Sequence, residues 1–437
     1  MTVRRTLRSA AAIVVVAASV LLIGATATPP PVPDDPADPV RASEYWLDGA
    51  RIREAWQTAR GKGVTIAVID TGIAKVPQAF GDAVVDGTDV SGTGTPDGRT
   101  PLGAVQADHG SWVASLAAAR GNPDGTGMIG VAPEANLLSI SIGFGAAAAV
   151  PFAEQVAKGM RWAVDHGADI INLSFTTNTL GWDESWDDAF LYAFQHDVVV
   201  VVAAGNRGSG TNIIGAPATI PGVLTVGGVD QTGTASVEAS TQGITIGISA
   251  PSEGLLGVSP DGEVVSWRGT SGAAPIVAGV AALIRSAHPG MKANDVINRI
   301  IKTAIPVPDA KKPQDPLYGF GLIDAAAAIS ANIAPVSANP MGDLEDWIRV
   351  FRRAATEPQP EPQETTSPVA VPPLPAADSP TEAGSPLLPS ADSLRYGTLP
   401  LIALTVPGIL VALGVTAAAR RIRSARVSVR QIPDSEE

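Results

Sequence analysis

A nearly unbroken apolar, β-branched run, Val64-Thr65-Ile66-Ala67-Val68-Ile69, predicts a strand buried on both faces of a sheet. Similar runs recur at residues 137–142, 170–175, 198–203 and 223–229. Helical patterns lie between them, over residues 112–119, 152–166 and 187–195, and three more follow at 276–287, 293–303 and 324–331. Strands alternating with helices imply an α/β fold, with a mostly parallel central sheet and helices on both faces. The Gly-, Thr- and Asp-rich stretch 87–103 is expected to be a surface loop.

The two ends follow other rules. Arg4, Arg5 and Arg8 precede an apolar run over 10–23 and then Ala25-Thr26-Ala27, so residues 1–27 read as a secretory signal peptide. In the extension 28–60, a proline-rich start gives way to a short helix over 44–57 carrying Trp46, Leu47, Ile52 and Trp56. It is too short to fold independently and is expected to wrap on the main domain, residues 61–334. Residues 335–393 form a linker; within it, a short helix at 341–355 places Leu344, Trp347, Ile348 and Phe351 on one face, expected to pack back on the domain. The acidic, proline-rich remainder is a stalk that, at about 3.1 Å per residue, reaches on the order of 100 Å. Residues 397–419 are uncharged and long enough to cross about 30 Å of hydrocarbon as a transmembrane helix. Arg420, Arg421, Arg423, Arg426 and Arg430 follow, which places the basic tail 420–437 in the cytoplasm and the body outside, on a single-pass anchor in the cell membrane.

Composition narrows the chemistry. A formal net charge of -13 argues against nucleic acid as a partner, and the absence of cysteine removes disulfides, thiolate metal sites and a cysteine nucleophile. No His-Glu-x-x-His occurs, and no metal or cofactor is assigned.

What remains is a small-residue turn, Gly269-Thr270-Ser271-Gly272-Ala273-Ala274-Pro275, that opens into the helical pattern at 276–287. A serine there is either an N-cap or a nucleophile beside unpaired backbone N–H groups. Pro275 fits near a helix start, where its missing N–H costs nothing. Three remote elements bear on the choice. Asp70 ends the first strand, where α/β sheets gather functional groups. Asn206, after the strand 198–203, can aim an amide at developing negative charge. Of the four histidines, His166, His196 and His288 end helical patterns, whereas His109 starts one, where a positive charge is disfavoured and a neutral base is suited. Orienter, base, oxyanion donor and nucleophile together make an acyl-transfer set.

The chain resembles the subtilisin family of serine proteases. The resemblance is carried by Val68-Ile69-Asp70-Thr71-Gly72, Asp108-His109-Gly110-Ser111-Trp112-Val113-Ala114, Gly130-Val131-Ala132-Pro133, Ala203-Ala204-Gly205-Asn206 and Gly269-Thr270-Ser271-Gly272-Ala273-Ala274-Pro275. It implies a triad of Asp70, His109 and Ser271, an oxyanion hole of Asn206 and the Ser271 N–H, and a peptide or protein substrate. It also implies that Leu173, Ser174 and Phe175, with Ala203, Ala204 and Gly205, line the substrate cleft. Three departures stand out: Ser111 for the usual Thr, Gly272 for the frequent Met, and Phe175-Thr176 where Leu-Gly is common. The signal peptide, stalk, span and basic tail further resemble the mycosins, membrane-anchored proteases of type VII secretion systems. That implies processing of exported proteins at a secretion complex; a structural role in that complex, with proteolysis secondary, and a general cell-surface protease are the alternatives.

Overall fold

A computed structural model describes residues 38–104, 106–308, 314–352 and 413–421. The signal peptide, the stalk and most of the anchor and tail lie outside the described residues; of the expected span and the tail, 413–421 is described, and it is helical.

Seven parallel strands form the central sheet in the order β2-β3-β1-β4-β5-β6-β7. They are β1 (Thr65–Asp70), β2 (Val84–Asp89), β3 (Asn136–Ser141), β4 (Ile170–Leu173), β5 (Val199–Ala203), β6 (Leu224–Val229) and β7 (Ile246–Pro251). Side-chain alternation along each strand feeds two cores. Ile66, Val68, Val199 and Val201 face one layer of helices, α1 (His109–Ala118), α4 (Thr270–Ala287), α5 (Ala293–Lys302) and α6 (Ala325–Ser330). Ala67, Ile69, Val200 and Val202 face the other, α2 (Phe152–Asp165) and α3 (Glu184–Gln195). Among the described helices, α4 is long and apolar enough to cross a membrane, but 78% of it is buried, so it is the core helix of the domain.

The edge strands depart from the expected pattern. β2 falls partly inside the expected loop; its Val85 and Asp86 are exposed and its Gly87 and Asp89 are poor strand formers, so no buried run announces it. β7 is buried throughout but short of large side chains, reading Ile-Gly-Ile-Ser-Ala-Pro. A separate antiparallel hairpin, β8 (Leu255–Val258) and β9 (Val264–Trp267), stands beside α1 and was likewise silent in the sequence.

The N-terminal extension is broken into three helical turns, Pro39–Ser43, Tyr45–Gly49 and Ile52–Ala55, rather than one helix. Arg51, in the left-handed region at φ 52°, supplies one break. Trp46, Leu47, Ile52 and Trp56 are nevertheless at most 6% exposed and belong to the α4-side core. The Trp56 indole donates to the Val131 carbonyl (2.8 Å), and the Ile129 N–H donates to Glu44 Oε1 (2.8 Å). Trp46→Ala is therefore expected to destabilise the domain by about 3–5 kcal/mol, read as a shifted denaturant midpoint; a change under about 1 kcal/mol would show that the extension is peripheral to folding.

Residues 335–352 also lie against the domain, but their helical stretch begins at Leu344 rather than 341, and of its expected apolar face Leu344 is buried while Phe351 is left 59% exposed. Asn339 donates to the Gly222 carbonyl (2.8 Å), Trp347 packs on Trp182 with ring centroids 4.4 Å apart, and Arg352 Nε donates to Asp187 Oδ2 (2.6 Å).

Candidate active site

The C-terminal ends of β1, β4 and β5 and the N-terminus of α4 converge on one cleft of about 800 Å³. Asp70, the last residue of β1, is 1% exposed. Its Oδ1 accepts from the Thr71 N–H (2.7 Å) and pairs with His109 Nδ1 (2.8 Å). The turn after β1 is stitched to the start of α1. Thr71 Oγ1 donates to the Ala107 carbonyl (2.7 Å) and accepts from the Gly110 N–H (2.8 Å), while Ser111 Oγ accepts from the Ala74 N–H (3.0 Å). Asp70 and His109 are thus held together by the main chain on both sides of the pair. Nδ1–H bound to the carboxylate leaves Nε2 as the basic nitrogen of the neutral ring.

Burial works to lower the His109 pKa, but the Asp70 charge and hydrogen bond outweigh it and raise the value above the ordinary 6.5. Whatever the helix start contributes against the cation, the carboxylate 2.8 Å away decides the sign.

Ser271 sits in the first turn of α4, 8% exposed, with its hydroxyl donating to the Ser174 carbonyl (3.0 Å). Pro275 lies deeper in the helix than the first unpaired turn, so its missing N–H does leave an acceptor free, contrary to the reading from sequence. That acceptor is the Ser271 carbonyl four residues back. Ser174 Oγ takes its place as donor (2.8 Å) and is itself fixed by the buried Asn172 amide (2.9 Å). The proline therefore ties the serine-bearing turn to β4.

Asn206 follows β5. Its Oδ1 accepts from both the N–H (2.7 Å) and the hydroxyl (2.9 Å) of Thr270, which leaves the NH₂ as the end free to donate into the cleft. Gly269, at φ 142°, lies so close that a Cβ there would be 2.9 Å from Asn206 Nδ2. Glycine before Thr270 is what lets the amide approach.

Residues 61–322 match the subtilase family, peptidase S8. The chain belongs to this family. It is 32% identical to Mycosin-4 of Mycobacterium tuberculosis over 336 residues, covering 67% of this chain and 70% of that one. It is 35% identical to Subtilisin DY of Bacillus licheniformis over 282 residues, covering 62% and 93%. The solved structure of the MycP3 protease from the type VII (ESX-3) secretion system matches with a TM-score of 0.55 at 30% identity, over 69% of this chain and 90% of that one. This subtilase is a serine peptidase, a hydrolase related to the mycosins.

The subtilase cleft takes in most, not all, of the residues expected to line it. Ser174, Phe175, Ala203, Gly205 and Asn206 do so with His109 and Ser271. Leu173 and Ala204 do not: strand alternation turns both into the core on the α2–α3 face, where each is fully buried. Trp267 and Arg268, at the end of β9, line the cleft and were missed. Their signal was adjacency to Gly269, but a Trp-Arg pair has no period to betray its direction. Trp267 stands edge-on to His109 with ring centroids 5.7 Å apart. Gly272 also finds its reason: a Cβ there would collide with Leu255 and press on Leu116 and Trp267, so the β8–β9 hairpin fills the space a larger residue would need.

The other histidines are accounted for by main-chain bonds. His166 and His196 each pair through Nδ1 with the carbonyl four residues back (2.8 Å), and His288 Nε2 pairs with the Ile329 carbonyl (2.8 Å). No cluster of three His, Asp or Glu able to hold a metal occurs among the described residues.

Proposed function

We propose that Asp70, His109 and Ser271 act as the catalytic triad of an endopeptidase, with Asn206 and the Ser271 N–H as the oxyanion hole. The observation that carries this reading is the 2.8 Å Asp70–His109 bond facing the same cleft as Ser271 and Asn206. A substrate backbone N–H that takes over the Ser174 carbonyl frees the Ser271 hydroxyl for His109 Nε2. Nε2 then accepts the hydroxyl proton as Oγ attacks the peptide carbonyl. The resulting oxyanion accepts from Asn206 Nδ2 and from the Ser271 N–H, one of the first of α4 and so without an intrahelical acceptor. Collapse expels the amine with the proton held on His109, and water repeats the sequence on the acyl-enzyme.

Asn206→Ala removes one donor from the developing charge and is expected to lower kcat about 10²–10³-fold with KM little changed. Steady-state kinetics on one peptide decides it; a loss confined to KM counts against the oxyanion role.

The protease is placed outside the cell membrane on a C-terminal helix, acting on proteins exported by a type VII secretion system. The uncharged run 397–419 with its arginine-rich flank supports the placement, and the likeness to Mycosin-4 and to MycP3 supports the context. Treating intact cells with a membrane-impermeant fluorophosphonate tests the triad and the placement. Mass mapping is expected to find the adduct on Ser271, in the membrane fraction. A folded chain that takes no label, or takes it elsewhere, overturns the triad; labelling that requires cell lysis overturns the orientation.

A further inference from the structure

The recess beside Ser271 is closed by two threonines, and the inference drawn from it rests on the peptidase reading above. A carbonyl carbon set against Ser271 Oγ with its oxygen toward Asn206 has His109 and Trp267 on one flank. The side chain of the attacked residue then falls on the other flank, between the cleft-lining segments 174–176 and 203–206. Gly205, on one wall, carries no side chain and by itself leaves a slot. That slot is filled. An ideal Cβ on Gly205 would lie 2.7 Å from Thr176 Cγ2 and 2.5 Å from Thr211 Cγ2, so two methyl groups already occupy the space in front of it.

Thr176 is held through its side chain, and Thr211 through its main chain. Thr176 Oγ1 donates to the Gly215 carbonyl (2.9 Å), and the adjoining main chain is paired through Thr177 N–H to the Ala216 carbonyl (2.8 Å) and Ala216 N–H to the Thr179 carbonyl (2.8 Å). The Thr211 N–H donates to the Asn206 carbonyl (3.0 Å), and its own carbonyl accepts from Thr241 Oγ1 (2.9 Å). With both backbones pinned, the branched side chains have few rotamers to choose from. Admitting a ring would require displacing packed methyls or the strand-like pairing behind them.

We propose that Thr176 and Thr211 restrict this protease to cutting after small residues, Gly, Ala or Ser, and exclude large aromatic side chains from the position whose carbonyl is attacked. The departure of Phe175-Thr176 from Leu-Gly is then a specificity device.

Two quenched peptides identical except for Ala or Phe at that position test this with the full-length chain. Since a single methylene changes discrimination by about 10–200-fold, kcat/KM for the Ala peptide is expected to exceed that for Phe by about 100-fold or more. Thr176→Ser removes the methyl but keeps the hydroxyl for Gly215, and is expected to raise the Phe-to-Ala ratio about tenfold; Thr211→Ser, at the facing methyl, is expected to move it the same way. Fluorophosphonate labelling of every variant checks that the site is intact. If a labelled wild-type chain cuts the Phe peptide as readily as the Ala peptide, or the ratio is unchanged in both labelled variants, the inference is overturned and the peptidase reading stands. A wild-type chain that neither labels nor cuts either peptide overturns both.

Discussion

Ser271→Ala is expected to lower kcat for peptide hydrolysis by about 10⁶-fold, the scale found for subtilisin, to which this chain is related. His109→Ala is expected to cost nearly as much. The double variant should then be hardly worse than either single one, because in the proposed triad nucleophile and base act as one unit: once the proton acceptor is gone, the hydroxyl has nothing left to contribute. Independent roles would multiply the two losses instead. Single-turnover kinetics of the two single variants and the double variant separates the cases. Residual activity in all three should remain above the uncatalysed rate, since Asn206 and the cleft are untouched. Ser271→Ala costs the fold only the hydroxyl's 3.0 Å bond to the Ser174 carbonyl, about 1 kcal/mol. The Ser271 carbonyl, which Pro275 frees and Ser174 Oγ occupies, is a backbone group that the substitution retains. Thermal unfolding lowered by no more than about 2–4 °C beside the collapse of hydrolysis is therefore part of the expected result. Unfolding more than about 10 °C lower would reassign Ser271 from chemistry to structure.

The inner strands were legible because burial on both faces leaves an uninterrupted apolar run, as in Val198 to Ala203. The strands that were not legible are those for which this physics is absent. β2 is an edge strand with exposed side chains, β8 is buried but only four residues long and interrupted by Gly257, and β9 is exposed or half-exposed along its length. Their positions depend on partners remote in sequence. The same division runs through the site. Asp70, His109, Asn206 and Ser271 each sit where an element begins or ends, and element ends are visible as breaks in periodicity. Leu173 and Ala204 were misplaced for a related reason: a motif names neighbours along the chain, whereas a strand and the turn after it send successive side chains to opposite faces. Trp267, Arg268 and Thr211 reach the cleft through the hairpin and through a loop after β5, contacts that no local pattern encodes. The role of Pro275 was misread because its effect lies four residues away, on a carbonyl whose new donor comes from β4.

Asp70→Asn is expected to lower kcat by about 10⁴-fold, and to move the pH profile in a direction that distinguishes the cause. In the proposed mechanism His109 must be neutral to accept the Ser271 proton, so activity is expected to rise with pH through its pKa, which Asp70 holds above the ordinary 6.5. The substitution deletes the charge, reduces the carboxylate hydrogen bond to at most that of a neutral amide oxygen, and leaves burial, which lowers the pKa. The acidic limb of kcat/KM should therefore shift to lower pH in the variant even as its plateau collapses. A neutral amide can also present its NH₂ to Nδ1, which reverses the tautomer and leaves Nε2 carrying the proton it needs to accept; this accounts for most of the loss. The two effects separate cleanly. A variant with a lowered plateau and an unmoved limb would mean that Asp70 only positions the ring. A limb that moves to higher pH would contradict the electrostatic assignment altogether, because no remaining group in contact with His109 would then explain the sign.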